Sequence, residues 1–426
     1  MAVTEPTAGP DFDGHAGTGG DGPAARRDGA PGRTGVALVV VLGALSAFGP
    51  LCLDMYLPAL PQLAPSLGST DALAQLSLSA CVVGLAVGQL LVGPLSDRVG
   101  RRGPLLIGVG LFAVVSAACA VTTSMPALIV LRLLQGAAGA AGIVVGRAVV
   151  ADRYSGRAAA SYFAAMAAVN GFAPILSPVV GGQVLRVGTW RTVFWVLAGI
   201  GAALAVATWL VVRESLPAER RSQGGVRAVF SAFAVVLRDR IYLGYTLAGC
   251  LVAAAMFGYI SGSPFLLQDG FGLSPQAFSA CFASNAVGII LATWMGGLLL
   301  RVAGPATILT AGLVQAAVGA VLLAIAVLAH LGLWPVLVGL FVMVSAVGLA
   351  LPHASALAMD RHRPIAGAAS AVFGLLQFAL GALAAPLVGL GDRAAGIAVG
   401  LTAVVAVALG AAALVVARRA SPDTGG

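Results

Sequence analysis

The chain has 426 residues, of which 59% are hydrophobic and only 9% are charged. Soluble domains carry about 25% charged residues, so this composition excludes one large soluble enzyme and indicates a protein of the lipid bilayer. The net charge of +8 would suggest nucleic-acid binding in a soluble protein. In a membrane protein it indicates the excess of basic residues in cytoplasmic loops, so we expect no nucleic-acid partner.

The first 34 residues are mainly Gly, Ala, Pro, Asp and Arg, with almost no large apolar side chain. Such a segment cannot bury enough apolar surface to fold, so we predict a disordered cytoplasmic tail at 1–34. It does not read as a secretory signal, because the apolar run that follows is too long for the core of a signal peptide.

Twelve apolar runs follow the tail. Each has about 20 residues, enough to cross a hydrocarbon core of about 30 Å as a helix, so we predict an all-α polytopic membrane protein. The predicted spans are 36–58, 74–95, 104–123, 126–148, 158–184, 192–212, 241–266, 276–299, 305–329, 333–356, 365–389 and 394–416. A long polar connection follows the sixth run. The predicted domains are therefore an N-terminal six-helix half at 35–213, a cytoplasmic linker at 214–240, a C-terminal six-helix half at 241–418 and a tail at 419–426.

The arginines predict the orientation of the spans. With the N-terminus inside, twenty arginines fall in inner segments and three in outer loops, which places both termini in the cytoplasm. A faint internal repeat pairs "RRGPLLIGVGL" from Arg101 with "RVAGPATILTAGL" from Arg301. It suggests two six-helix halves in parallel arrangement, the pattern of a secondary transporter.

Two charges lie well within the predicted spans, Asp54 in the first and Arg132 in the fourth. Burying either charge alone costs much free energy, so each indicates a functional site. Their depths match, and the two could meet or share a water-filled cavity. We predict that Asp54 is the coupling acid that carries protons. The alternatives are a static ion pair and an Asp54 that only caps the outer end of its span.

The stretch "GPLSDRVGRR", at 93–102, is the densest charged segment between two apolar runs. Gly93 and Gly100 permit a tight turn and close approach of helices. Asp97 cannot face lipid and needs a cationic or helix-N-terminal partner. Arg98 and Arg102 could do no more than set the topology of a basic loop.

Five Gly and Pro residues of the fifth span fall within about one third of the helix circumference. The prolines bend the helix, and the glycines let a partner helix close over the bend. Ordinary packing of small residues is the alternative. These residues are Gly171, Pro174, Pro178, Gly181 and Gly182.

From about 36 to 418 the chain resembles the major facilitator superfamily. The 93–102 stretch matches the family signature G-x-L-[S/A]-D-R-x-G-R-R/K between helices 2 and 3 nearly in full. "LRLLQGAAGAAG" (131–142) resembles its helix-4 motif with a buried arginine, and "GFAPILSPVVGGQV" (171–184) its helix-5 antiporter motif. Three further stretches resemble the bicyclomycin-resistance (Bcr/CflA) branch of drug:proton antiporters: "LDMYLPALPQL" (53–63), "GSPFLLQDGFGLSP" (262–275) and "AGAASAVFGLLQFALGAL" (366–383).

The resemblance implies roles for these motifs. In the family, the aspartate that matches Asp97 contacts the start of helix 11 and holds the cytoplasmic side shut. Asp97 and Arg101 would form that latch, with Asp152 as a further partner, and Arg132 would organise the proton site. The predicted gate residues are Gly93, Asp97, Arg98, Gly100, Arg101, Arg102 and Asp152.

The helix-5 face would, by the same resemblance, seal an antiporter against leak. Two departures from the family pattern are present. Ala173 replaces the motif glycine before Pro174, and the loop after helix 8 keeps Arg301 but lacks its acidic partner. We therefore expect a weaker gate in the second half.

Polar and aromatic side chains scattered in the spans predict a mostly apolar cavity with few polar groups, which suits diverse lipophilic compounds. Core packing is the alternative for each aromatic residue. The candidate cavity residues are Tyr56, Gln135, Met166, Asn170, Phe257, Tyr259, Asn285, Ser370 and Gln377.

We therefore expect proton-coupled efflux of small lipophilic drugs or antibiotics by alternating access across a bacterial cytoplasmic membrane. The partners would be the drug, protons and lipid, acting on a functional monomer with no cofactor, no metal and the proton gradient as energy source. No Walker motif is present and the four histidines are scattered, so we expect no enzyme. The alternatives are an exporter of one metabolite (an amino acid, a sugar or a self-made antibiotic) and a non-transporting membrane sensor.

Overall fold

The computed structural model describes residues 33–221, 233–362, 365–389 and 395–420, and all regular secondary structure in these ranges is helical. The predicted tail at 1–34 and the middle of the predicted linker lie largely outside the described residues. The helices are α1 (Arg33–Ser46), α2 (Phe48–Asp54), α3 (Leu60–Ser66), α4 (Asp71–Val99), α5 (Arg102–Val121), α6 (Met125–Arg153), α7 (Gly156–Val187), α8 (Trp190–Val211), α9 (233–238), α10 (Arg240–Pro264), α11 (Pro275–Leu299), α12 (Pro305–Leu328), α13 (Leu333–Asp360), α14 (Ala366–Gly389) and α15 (Ala395–Ala420). Shorter elements are 3₁₀ turns at Leu57–Ala59 and Ala218–Arg220 and a π-helical segment at Phe265–Gly270.

The prediction of an all-helical membrane protein is confirmed. Nine helices in the described ranges are long and apolar enough to cross a bilayer, and the bent α1–α3 segment makes a tenth span. The described apolar parts of the last two helices, Ala368–Ala384 and Ala403–Ala417, are shorter. The count of twelve spans therefore stays a prediction at its last two members.

The first span is bent by 42° between α1 and α2. Pro50 has no backbone N–H to donate to the carbonyl of Ser46, and its ring crowds that carbonyl, so a helix breaks at this point. The following turns end α2 at Asp54 and redirect the chain into α3. Asp54 is therefore the last residue of α2 and lies within the first span.

Glycines bring α4 and α6 into close contact. A methyl group at Gly88 would come 2.5 Å from the carbonyl oxygen of Ala137. Methyl groups at Gly84 and Gly136 would overlap the carbonyl oxygens of Leu133 and Cys81. Small residues permit such backbone approach between membrane helices, so these glycines fix the spacing of the two helices.

Helices α1–α8 form an N-terminal bundle and α10–α15 a C-terminal bundle, which meet through the pairs α7–α11 and α4–α14. We call the end with the 93–102 turn the gate end. The opposite end is called the sealed end, because side chains of the C-terminal bundle bond there to backbone carbonyls of the N-terminal bundle. These bonds run from Gln268 Nε2 to Pro58 (3.2 Å), from Gln276 Nε2 to Gly182 (2.7 Å) and from Ser279 Oγ to Pro178 (2.7 Å).

Candidate functional site

A cavity of about 910 Å³ lies between the two bundles. Residues of α1, α2, α4, α6 and α7 line it on one side, and residues of α10, α11, α13 and α14 line it on the other. Most of the lining side chains are apolar, including Phe257, Phe282, Phe373 and Phe378. The polar and charged lining residues are Ser46, Asp54, Gln89, Arg147, Asn170, Tyr259, Asn285, Ser355, Ser370 and Gln377.

The cavity opens toward the gate end. Its exposed lining residues lie near the gate-end termini of their helices: Arg147 in α6, Pro352 in α13, and Ser370 and Ala371 in α14. Its lining residues near the sealed end, Asp54 and Tyr259, are buried. The structure thus shows a cavity with a mouth at one end and a closed floor at the other.

Asp54 is a charged residue near the floor of the cavity. It ends α2 and is only 6% exposed. Among the described residues, no side chain or backbone group forms a hydrogen bond or ion pair with its carboxylate. The carboxylate is therefore available to a proton or to a molecule in the cavity.

Arg132 lies behind the cavity wall, in the core of the N-terminal bundle. Its guanidinium donates to the carbonyl of Cys52 at 2.8 Å and to Gln135 Oε1 at 2.5 Å, and it lies 4.7 Å from the ring centre of Tyr56. Gln135 in turn donates to Ser116 Oγ at 2.7 Å. The direct meeting of Asp54 and Arg132 that we considered is thus absent from the described contacts. Neutral oxygens bind the two terminal nitrogens of Arg132, and its buried Nε has no hydrogen-bond partner among the described residues. The arginine thus holds the backbone two residues before Asp54.

The structure divides the predicted cavity residues into two groups. Asn170, Phe257, Tyr259, Asn285, Ser370 and Gln377 line the cavity. Three others do not, which corrects our prediction for them. The hydroxyl of Tyr56 is hydrogen-bonded to Ser77 Oγ at 2.5 Å, Gln135 is bonded to Arg132, and Met166 packs against Gly146. Their side chains point into the N-terminal bundle because partners there satisfy or cover them.

Polar cavity residues are held by one another. Asn285 Nδ2 donates to the hydroxyl of Tyr259 at 2.8 Å, and Asn170 Nδ2 donates to Ser46 Oγ at 2.9 Å. Each pair joins two different helices across the wall. These bonds fix the positions of the few polar groups that a bound molecule could recognise.

The predicted helix-5 residues lie along α7 from the open cavity to the sealed end. Gly171 has open space around it, and Pro174 lines the cavity. A methyl group at Gly181 would overlap the carbonyl oxygen of Met55 in the same bundle. At Gly182 it would come 2.6 Å from Ser279 Oγ in the other bundle. Together with the bond from Ser279 to the Pro178 carbonyl, these contacts place residues 178–182 of α7 at the sealed end.

The 93–102 segment differs from the predicted turn. Helix α4 continues to Val99, so Gly93 lies inside a helix and only Gly100 makes the turn. Gly100 has φ +104°, and a methyl group there would come 2.7 Å from Glu214 Oε2. Pro94 lies inside α4, and the helix continues for five residues beyond it, to Val99. Glycine is thus required at 100 but not at 93.

Arg101 is the centre of the gate-end contacts. Its guanidinium bonds to Asp97, to Asp152 Oδ2 at 2.9 Å and to Ser96 Oγ at 2.8 Å. Burial alone lowers the pKa of this guanidinium, but the bonds to Asp152 and Asp97 outweigh burial and raise the pKa above its usual value. Within the described residues, Asp97 is thus paired with Arg101 and not with the start of α14.

The two remaining gate arginines differ in their surroundings. Arg102 donates to the carbonyl of Trp209 at 3.0 Å, which ties the start of α5 to the end of α8. Arg98 is exposed at the end of α4. A basic side chain there can set the membrane topology or interact favourably with the helix dipole.

Glu214 is a gate-end residue that was not predicted from the sequence. Its carboxylate accepts hydrogen bonds from the backbone N–H groups of Arg101 (2.8 Å) and Arg102 (3.1 Å), at the start of α5. Partial burial raises the pKa of Glu214, but these bonds and those from the N–H groups of Ser215 and Leu216 outweigh it and hold the pKa below its usual value. The only signal in the sequence is an acid directly after the sixth apolar run.

Sequence reasoning also missed Arg147. The arginine count treats it only as one of the inner-side arginines, but it lines the cavity. It lies more than one turn before the end of α6, and that position within the helix is the only signal that the sequence offers.

Comparison with known proteins shows the family. The model of the Major Facilitator Superfamily matches residues 39–386. Three relatives cover much of the chain. An uncharacterized MFS-type transporter of Bacillus subtilis, YdgK, is 37% identical, covering 85% of this chain and 91% of its own length. The bicyclomycin resistance protein homolog of Haemophilus influenzae is 27% identical, with coverage of 82% and 88%. The chloramphenicol resistance protein of Pseudomonas aeruginosa is 32% identical, with coverage of 68% and 68%.

A solved structure shows the same fold. A point mutant of the nucleoside transporter NupG superposes with a TM-score of 0.71 at 16% sequence identity. The match covers 89% of this chain and 99% of NupG.

Proposed function

The chain belongs to the major facilitator superfamily, and from that premise we propose that it exports small lipophilic drugs or antibiotics in exchange for protons. Two of the relatives are named for resistance to bicyclomycin and chloramphenicol, which supports an outward drug flux. The chain is an integral membrane transporter and not an enzyme. We propose that it works as a monomer in a bacterial cytoplasmic membrane, with the gate end in the cytoplasm.

The form of the cavity supports drug binding. Its wall is mostly apolar and aromatic, with a few polar groups held by hydrogen bonds. Apolar surface binds many lipophilic molecules with little demand on their shape, and sparse polar groups orient them. We propose that drugs enter from the cytoplasm or the inner leaflet through the mouth at the gate end.

Alternating access would require the bonds between the bundles to break at one end while the other end closes. The sealed-end bonds of Gln276 and Ser279 would separate as the bundles rock apart. At the gate end, Asp97 and Asp152 now share Arg101 within one bundle. We propose that Asp97 turns to the start of α14 when that end closes.

The observation that carries the proton coupling is Asp54 on the cavity wall, with no partner for its carboxylate among the described residues. A carboxylate in this position can take up a proton, or it can accept a hydrogen bond from a group of a bound drug. Two ligands that compete for one group are exchanged and not carried together, which is antiport. Arg132 would support this indirectly, because it holds the Cys52 carbonyl and thereby the position of α2.

We would test the proposal in sealed vesicles with an imposed pH gradient. Chloramphenicol or bicyclomycin is added, and lumenal pH is followed with a dye for the wild type, Asp54→Asn and Asp269→Asn. Asp269 is exposed near the sealed end and does not line the cavity, so it is the matched control.

We expect drug-driven proton release in the wild type and in Asp269→Asn, and its loss in Asp54→Asn. Equal release in all three would mean that protons are coupled elsewhere. No release with any drug would favour the second candidate, export of one metabolite, and the same vesicles would then be tested with amino acids and sugars.

A further inference from the structure

Arg147 is a lining residue of the cavity, near its mouth. It is exposed, and it lies in α6 before that helix ends at Arg153. No carboxylate of the described residues forms an ion pair with it, and no described acceptor bonds to its guanidinium. Its five N–H donors are therefore available to molecules that enter the cavity.

Three other arginines of the gate end are different from Arg147. Arg101 is bound by two carboxylates, Arg102 donates to the Trp209 carbonyl, and Arg153 donates to the Arg213 carbonyl at 2.6 Å. These side chains hold the N-terminal bundle together. An arginine that only sets topology has no need to face the cavity, so the position of Arg147 requires another explanation.

Asp54 cannot neutralise Arg147. Gly146, the neighbour of Arg147, lies beside the Leu42 carbonyl of α1, and Asp54 is twelve residues farther along that span. At a rise of 1.5 Å per residue this is about 18 Å, somewhat less across the bend. Apolar groups, including Phe257 and Phe378, line the wall between them. The cavity therefore has a cation at its mouth, a mostly apolar middle in which Ser46 and Asn170 bond to each other, and a carboxyl group at its floor.

We propose that Arg147 is a substrate-binding residue that selects amphipathic molecules with an anionic or strongly accepting group at one end. A carboxylate, sulfonate or phosphate bonds to the guanidinium at the mouth, and the apolar part of the same molecule packs on the aromatic wall. This inference rests on the proposed function, because it takes the cavity as the substrate site. It names a substrate class that apolar composition alone does not suggest.

Three dansyl compounds with one fluorophore test this selection. They are dansylglycine (anion), dansylglycinamide (neutral) and dansyl-ethylenediamine (cation). Binding to the full-length protein in nanodiscs is measured by fluorescence titration for the wild type, Arg147→Gln and Arg147→Lys. Arg301→Gln is the control, since Arg301 is exposed and does not line the cavity.

The wild type should bind the anion more tightly than the neutral compound, by about tenfold, as expected for one charge-assisted hydrogen-bonding group. Arg147→Gln should lose this preference and leave the affinity for the neutral compound unchanged. Arg147→Lys should retain part of the preference, and Arg301→Gln all of it.

Equal binding of anion and neutral compound by the wild type, an unchanged preference in Arg147→Gln, or no binding of any probe would each overturn the proposal. These titrations need no proton gradient. Suppose that Arg147→Gln loses the anion preference while drug-driven proton release fails in the vesicles. That result would contradict the proposed antiport and leave the role of Arg147 supported. Proton release together with an unchanged anion preference in Arg147→Gln would contradict the role of Arg147 alone.

Discussion

At the scale of single residues, Gly100 shows how one backbone angle fixes the gate end. Its φ of +104° suits glycine, and its hydrogen atom faces Glu214 where a methyl group would clash. We expect Gly100→Ala to lower the free energy of unfolding by about 1–3 kcal/mol, the usual cost of a strained backbone conformation. The measurement is the thermal unfolding midpoint in detergent.

Gly103→Ala is the matched control for that change. Gly103 lies three residues away, and no heavy atom lies within 4 Å of a methyl group built there. It should unfold like the wild type or slightly later, because Ala favours a helix over Gly. Equal midpoints for the two variants would show that the 100–102 turn does not require glycine.

The partner of a polar side chain decides whether that side chain faces the cavity. Asn285 and Gln377 line the cavity, and Asn285 bonds there to Tyr259, which also lines it. Tyr56 does not, because Ser77 in α4 satisfies its hydroxyl inside the bundle. A polar side chain in a span reveals that it needs a partner, but the sequence does not reveal which side of the helix supplies it.

At the scale of elements, the start of α5 depends on a residue far away in the chain. Glu214 accepts the N–H groups of Arg101 and Arg102, which no helical carbonyl can satisfy. Its pKa is lowered in the folded protein, so it stabilises the fold at pH above its ordinary pKa of about 4.3. That contribution disappears as the pH falls through the lowered pKa.

Glu214→Gln should therefore unfold earlier than the wild type at pH 7, by roughly 1–3 °C, and the difference should shrink below about pH 4. The measurement is the unfolding midpoint of both proteins over that pH range. Glu219→Gln is the control, since Glu219 is exposed. A difference that stays constant with pH would rule out the carboxylate as its source.

Helix boundaries followed from the sequence to within a few residues, because long apolar runs have no other stable form in a bilayer. The first span is an exception, because it is broken between α1 and α2 and continues to Ser66. The end of α4 shows a smaller difference with a clear cause. The predicted second span ends at 95, where Gly93 and Pro94 suggest a stop, but α4 continues to Val99. A proline can remain within a helix whose interrupted bond is relieved by neighbouring helices, and that relief comes from tertiary packing.

At the scale of the whole molecule, the seal between the bundles sets which end of the cavity is open. A side chain at Gly182 would press on Ser279 across the interface. We expect Gly182→Val to disfavour the sealed arrangement by about 1–3 kcal/mol, the usual cost of overpacking. The equilibrium constant between the open and the closed mouth at the gate end should then fall by about 5- to 150-fold, which lowers the fraction of time that the mouth is open.

Maleimide labelling of Ser355→Cys at the mouth would measure that fraction, with the half-buried Cys281 changed to Ala to remove background. Gly199→Val is the control, because a side chain there meets nothing within 4 Å. The labelling rate should fall in Gly182→Val and stay constant in Gly199→Val. Unchanged labelling in both would mean that this contact does not hold the conformation.

The one-sided cavity also determines where membrane voltage acts. Water that enters through the mouth carries the potential of the gate side down toward Asp54, so the electric field is concentrated across the thin sealed end. A charge that crosses this layer exchanges about 2.3 kcal/mol with each 100 mV. In the alternating access that we propose, this layer would move from one side of Asp54 to the other. The conformational change, more than diffusion within the cavity, would then be the electrically driven step of the cycle.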